Sequence, residues 1–245
     1  MKSSILCSIL LLLGTLLHAQ DQVYELRTYK LDFFESADVL HSYFENALIP
    51  ALNRQGVKNI GAFEATGDAL PKNIYLLITY DNIMVFQGTL DKLEADTRYQ
   101  RDAGHYFKAN DRELPDGVTT SLIRSTPGFP QLMKHDDAEL FELRIYHSKN
   151  EDALRRKVKM FNDSEFVIFD EVGLPMVFFG YNIAGGEMPC LTYLLGFENK
   201  AAHAEAWAKF GGHPEWQRIL KLEEYAEAMN DIIRVFLKPL PYSQL

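Results

Sequence analysis

Alternation of polar and apolar side chains from Val23 to Leu31 sets Glu25, Arg27 and Tyr29 on one side of a strand and Tyr24, Leu26 and Thr28 on the other. Helical spacing takes over after Ser36-Ala37-Asp38: Leu40, Tyr43, Phe44, Ala47, Leu48 and Leu52 share a face, and Gly56 stands where a left-handed stop belongs. Pro50, inside that span, is expected to kink the helix or end its first segment. Two strands follow, 57–66 and 74–80, joined by the turn-rich stretch 67–73. A helical region over 83–109 with a break and a closing strand at 119–125 complete the unit.

The opening strand then returns. Val23-Tyr24-Glu25-Leu26-Arg27-Thr28-Tyr29 is echoed by Leu140-Phe141-Glu142-Leu143-Arg144-Ile145-Tyr146, a shift of 117 positions. The same shift carries Gly56 to Gly173, Asp81-Asn82 to Glu198-Asn199 and Gln100-Arg101 to Gln217-Arg218. A period this long gives each copy room for its own core. The second copy reads as a strand at 140–146, a helix at 151–172, strands at 175–183 and 191–197, helices at 200–210 and 214–229, and a strand at 232–237. Ile232-Ile233-Arg234 echoes Leu122-Ile123-Arg124, which places a loop deletion before the last strand. Strand, helix, strand, strand, helix, strand is the split βαβ, or ferredoxin-like, order, so the fold class is α+β with two tandem repeats. The repeats span 20–126 and 139–245, with a linker at 127–138 whose Pro127 and Pro130 favour an extended path.

Composition adds a compartment and removes several functions. Residues 1–19, with Lys2, the apolar run Ile5 to Leu17 and Leu17-His18-Ala19, read as a signal peptide, so the mature chain is expected to be exported, periplasmic or secreted. No later segment is long and apolar enough for a bilayer. Removal of the signal leaves Cys190 as the single cysteine, with no internal disulfide to form, and takes the net charge from −9 to −10. Acidic balance excludes a nucleic-acid surface, which needs clustered Lys and Arg.

The Glu-Leu-Arg-x-Tyr strand opening each copy, together with Tyr193-Leu194-Leu195-Gly196-Phe197, Ala206-Trp207-Ala208-Lys209-Phe210 and Pro214-Glu215-Trp216, resembles the NIPSNAP family. The likeness is fuller in the second copy. In the first, Leu90 and Leu93 stand for Trp207 and Phe210, and Thr97-Arg98-Tyr99 replaces Pro214-Glu215-Trp216. That resemblance implies the dimeric α/β barrel superfamily, in which two ferredoxin-like units oppose their four-stranded sheets around a cavity. Tethering in one chain makes the pairing intramolecular. The superfamily includes cofactor-free monooxygenases, isomerases and decarboxylases as well as haem enzymes, so the fold does not select a reaction.

Helices covering the Leu26 and Leu143 side would turn Glu25, Arg27, Tyr29, Glu142, Arg144 and Tyr146 into the barrel, within reach of Arg124 and Arg234. Buried charges need partners. The six residues are therefore either structural ion pairs between the sheets or the wall of a pocket, with Arg orienting an oxygen, Tyr donating a hydrogen bond and Glu25 or Glu142 acting as a base. Trp207 and Trp216 pack helices on the sheet or line that pocket. His41, His105, His135, His147, His203 and His213 show no metal-ligand spacing, and no phosphate loop or nucleophile elbow is present, so neither a metal nor a cofactor is expected. Three functions stay open: a protein that binds a small molecule between the sheets; a cofactor-free oxidoreductase, isomerase or lyase on an aromatic or unsaturated substrate; and a structural or interaction module with a filled barrel. Further association into a homodimer is compatible with each.

Overall fold

A computed structural model of the chain describes residues 21–245, so the expected signal segment lies outside the described residues. In the first repeat, strand β1 (Val23–Leu31) leads into helices α1 (Asp38–Tyr43) and α2 (Ile49–Arg54), then β2 (Lys58–Ala65), β3 (Lys72–Tyr80), helices α3 (Ile83–Ala95) and α4 (Thr97–Asp102), and β4 (Gly117–Ser125). The second runs β5 (Leu140–His147), α5 (Glu151–Met160), α6 (Phe166–Val172), β6 (Met176–Ala184), β7 (Cys190–Phe197), α7 (Lys200–Gly212), α8 (Pro214–Ile219) and β8 (Asp231–Pro239). The expected βαββαβ order is present in both copies.

The eight strands close into one antiparallel barrel in the order β1-β3-β2-β8-β5-β7-β6-β4. Each repeat contributes a four-stranded sheet, and two seams related by the internal duplication join them. At one, Phe63, Glu64 and Ala65 face Pro239, Lys238 and Leu237; at the other, Ile123, Arg124 and Ser125 face Asn182, Tyr181 and Gly180. A Cβ on Gly180 would lie 2.5 Å from the Arg124 carbonyl oxygen, so this seam closes only over a glycine. Closure removes the sheet edges that would otherwise invite pairing with other chains.

The barrel interior is filled. Tyr24, Leu26, Phe63, Tyr75, Leu77 and Ile123 of the first repeat pack there against Phe141, Leu143, Val177, Phe178, Leu194 and Leu237 of the second. Two aromatic pairs cross between repeats, Tyr24–Phe178 at 4.7 Å and Phe63–Phe141 at 4.8 Å between centroids. The expected cavity between the two sheets is thus occupied by side chains. Two further cores lie outside the barrel wall, one under each set of helices.

Local signals explain most element ends. Asn82 and Asn199, one repeat length apart, cap α3 and α7 by accepting from the first backbone N–H groups. Asp96 breaks the first repeat's helical region because its side chain caps α4, accepting from Arg98 and Tyr99. Gly56 and Gly173 have φ of +89° and +73°, as the stop positions required. The second helical expectation over 214–229 is too long: α8 ends at Ile219, its only buried residue, and a single 3₁₀ turn at Glu223–Tyr225 follows. Pro50 does not break its helix. α1 and α2 are joined by a π-turn at Phe44–Leu48, and an equal turn at Phe161–Glu165 joins α5 and α6, where Val167 stands in place of proline. The turn therefore belongs to the repeat and not to the proline. The linker packs on both repeats, with Leu132 N–H donating to Gln22 Oε1 at 2.7 Å and Phe129 buried in the second core.

Candidate functional site

Glu25, Arg27, Tyr29, Glu142, Arg144 and Tyr146 do share one side of their strands, but that side faces the helices. Tyr29 and Tyr146 belong to the two helix-side cores, whereas Leu26 and Leu143 fill the barrel. The expected orientation is inverted. The physical reason is solvation: the barrel interior is filled by apolar and aromatic side chains, whereas the helix side supplies polar partners from α7.

Glu142, fully buried, is the hub in the second repeat. Its Oε2 accepts from Trp207 Nε1 at 2.8 Å and lies 3.1 Å from His203 Nε2, both on α7. Its Oε1 is paired with Arg144 Nη2 at 2.9 Å and lies 3.9 Å from Arg234 Nε. The Arg144 guanidinium lies over Trp207, 3.8 Å from the ring centre, and its Nη1 donates to the Tyr146 hydroxyl at 3.0 Å. Tyr146 in turn meets the Tyr193 hydroxyl at 2.6 Å. Burial holds the Tyr193 hydroxyl well above the usual phenol range, so it stays protonated. Accessibility rises outward along the charges: the side chains of Glu142, Arg144 and Arg234 are 0, 11 and 54% exposed. Arg144 Nε, buried, has no hydrogen-bond partner among the described residues.

Arg234 lies directly opposite Arg144 in the β5–β8 ladder. Arg124, expected as its counterpart, lies opposite Val23, and the position facing Arg27 is Thr120. Arg124 instead pairs with Asp21 at 2.6 Å on the surface, away from Glu25. The short echo between the two closing strands aligned them four positions out of register. In the first repeat, Glu25 takes Arg27 Nε at 2.6 Å and the Tyr80 hydroxyl at 2.9 Å, which leaves one acid balanced by one base. Tyr29 packs on Phe44, and Tyr43 bonds Tyr99 at 2.7 Å. Trp216 packs on Phe210, with centroids 4.4 Å apart, and stands 5.8 Å from Lys157 Nζ.

Four polar residues on the helix side of the second repeat were missed in the sequence: Tyr193 and His203 at the site, and Lys157 and Glu165 beneath it. One signal marks all of them. Shifted back by one repeat they fall on Leu76, Phe86, Leu40 and Leu48, apolar positions of the first core. Cys190 is buried, its thiol pushed up to about 11 by burial, and it lies outside this cluster. Among the described residues, no three His, Cys, Asp or Glu side chains are grouped to hold a metal ion, and no helix is long and apolar enough to cross a membrane. A shallow depression of about 360 Å³ lined by Pro127, Leu154, Arg155, Val158 and Tyr181 has no buried polar group at its floor.

The family model for NIPSNAP matches residues 141–244, the whole extent of the Glu142 cluster. The second repeat is a NIPSNAP domain. Over both repeats the chain has the fold of a candidate monooxygenase from Fusobacterium nucleatum, with a TM-score of 0.58 at 9% identity, covering 90% of this chain and 93% of that one. A candidate monooxygenase from Lactobacillus acidophilus is similar, at 0.52 and 12% identity over 89% of this chain and 94% of that one. A NIPSNAP-like domain protein from Burkholderia xenovorans is 21% identical over 44% of this chain and 90% of its own, at a TM-score of 0.40. No curated protein matches the chain. Within the NIPSNAP domain, the Glu-Leu-Arg-x-Tyr strand and the Trp207 helix, separate in sequence, meet at Glu142.

Proposed function

We propose that the NIPSNAP domain binds a small aromatic carboxylate between its sheet and helices, at Arg144, Arg234 and Trp207. The supporting observation is the facing pair Arg144 and Arg234, which share the single carboxylate of Glu142. Like charges directly opposed across a ladder are destabilising, and one acid for two guanidiniums leaves positive charge unbalanced. An anion beside Arg234 offsets it. Trp207, Tyr146 and Phe236 give that anion aromatic walls, and the unpaired Arg144 Nε gives it a donor.

The enzymatic alternative needs a free base beside the ligand. Glu142 accepts from Trp207 through Oε2 and is ion-paired with Arg144 through Oε1, which accepts no hydrogen bond among the described residues, and Glu25 is paired with Arg27 and Tyr80; each carboxylate is thus held by a guanidinium, which favours binding. Thermal shift with benzoate, and with benzyl alcohol as the neutral control, tests the reading. Benzoate at one hundred times its Kd stabilises by about 2.7 kcal/mol, a rise of roughly 5–11 °C for a chain of this size. Benzyl alcohol leaves the melting temperature unchanged, and Arg234→Gln, at a half-exposed position, weakens benzoate binding about tenfold, a typical loss for one charge-assisted contact. No benzoate shift, or an equal shift in Arg234→Gln, sinks the proposal.

A further inference from the structure

Deeper under the same helices lies an ion pair that the site described above does not use. Lys157 on α5 and Glu165 at the end of the π-turn are 4 and 2% exposed, with Nζ to Oε1 at 2.5 Å. Their surroundings are aromatic: Lys157 Nζ stands 4.7 Å from the Phe161 ring centre, 5.5 Å from Tyr146 and 5.8 Å from Trp216. Burial raises the Glu165 carboxyl above its usual range, against the pull of Lys157. Such a pair is costly to desolvate, and well-packed apolar residues of similar volume commonly replace one at no loss of stability.

The chain contains its own control. In the first repeat the equivalent positions are Leu40, before the equivalent π-turn, and Leu48, its last residue, both fully buried. The same helix–sheet architecture thus assembles without the charges. What distinguishes the two sites is the rest of the polar set: Tyr193 for Leu76, His203 for Phe86, Trp207 for Leu90 and Arg234 for Thr120. Lys157 and Glu165 occur in the repeat that has those residues and are absent from the one that lacks them. They are also contiguous with them, since Lys157 lies over the ring of the same Tyr146 whose hydroxyl receives Arg144.

We propose that Lys157 and Glu165 form the inner end of the ligand site, so that the ligand is an aromatic acid with a second oxygen function, a hydroxyl or carbonyl, at the end away from Arg144. A hydroxyl donates to Glu165, a carbonyl accepts from Lys157, and the ion pair lengthens to admit either. This inference rests on the reading of the outer site as an aromatic-carboxylate site, and calorimetric titration with two probes separates the two. Wild type binds 4-hydroxybenzoate at least tenfold more tightly than benzoate. Lys157→Leu combined with Glu165→Leu, the residues of the first repeat, melts at or above the wild-type temperature and keeps benzoate affinity within about twofold, but loses the preference. Lys157→Gln, which retains a hydrogen bond to Glu165, reduces the preference to about threefold or less. A preference that survives in these variants, its absence in wild type, or a double variant that fails to fold overturns the inference. If neither acid binds wild type, the outer-site reading has failed first.

Discussion

Glu142 concentrates more of the second repeat's chemistry than any other side chain, because four polar groups from three elements converge on a carboxylate with no exposed surface. Removing its charge leaves Arg144 buried beside a neutral amide. Breaking a buried pair from one side costs about 3–5 kcal/mol. Glu142→Gln is expected to fall at the low end, about 3 kcal/mol by urea unfolding, because the amide retains an acceptor for Trp207. A loss below about 1 kcal/mol would show that the pair is not holding the site together. The sequence repeat singled out Glu142, Arg144 and Tyr146 directly. It did not tell which side of the strand was inside, because alternation reports which residues share a face and both faces of β5 are covered. A strand with water on one side would have shown its orientation.

At the scale of elements, α7 decides whether the site exists, since it alone brings His203 and Trp207 to Glu142. Its start is set by Asn199, whose Oδ1 accepts from the N–H groups of Ala201 and Ala202. Asn199→Ala is expected to cost about 1 kcal/mol of stability, and to weaken benzoate binding by loosening Trp207 under Arg144. A variant with unchanged stability and unchanged binding would show that tertiary packing alone places the helix. This cap was legible as part of the repeated Asp81-Asn82 and Glu198-Asn199 pairs, and so were the stops at Gly56 and Gly173. The end of α8 was not, because Leu222, Tyr225 and Met229 continue an apolar spacing that the structure packs from a turn instead of a helix. Nor was the register of β8, where three similar residues suggested an alignment that backbone pairing with β5 overrides.

The whole molecule is a barrel whose centre is structural and whose chemistry sits outside the wall. Duplication made two ferredoxin-like units readable from a 117-residue shift and the NIPSNAP resemblance implied their barrel, whereas the filling of the barrel depended on how Phe63, Phe141, Tyr24 and Phe178 meet across repeats, which no local pattern records. Divergence between the repeats then matters more than their likeness. The first keeps a neutral Glu25–Arg27 pair within an aromatic core, and the second adds Arg234, His203, Trp207, Lys157 and Glu165 around the same motif. The proposed ligand site is therefore single, on the helix side of the second repeat. Amide and indole chemical shifts recorded while benzoate is titrated into the labelled protein test this most directly. The account predicts that the Trp207 indole N–H and the backbone amides of Arg144 and Arg234 move together with one dissociation constant, while those of Leu26, Phe63 and Leu77 stay still. Movement centred on these barrel residues, or on Arg27 and Tyr29 of the first repeat, would contradict it.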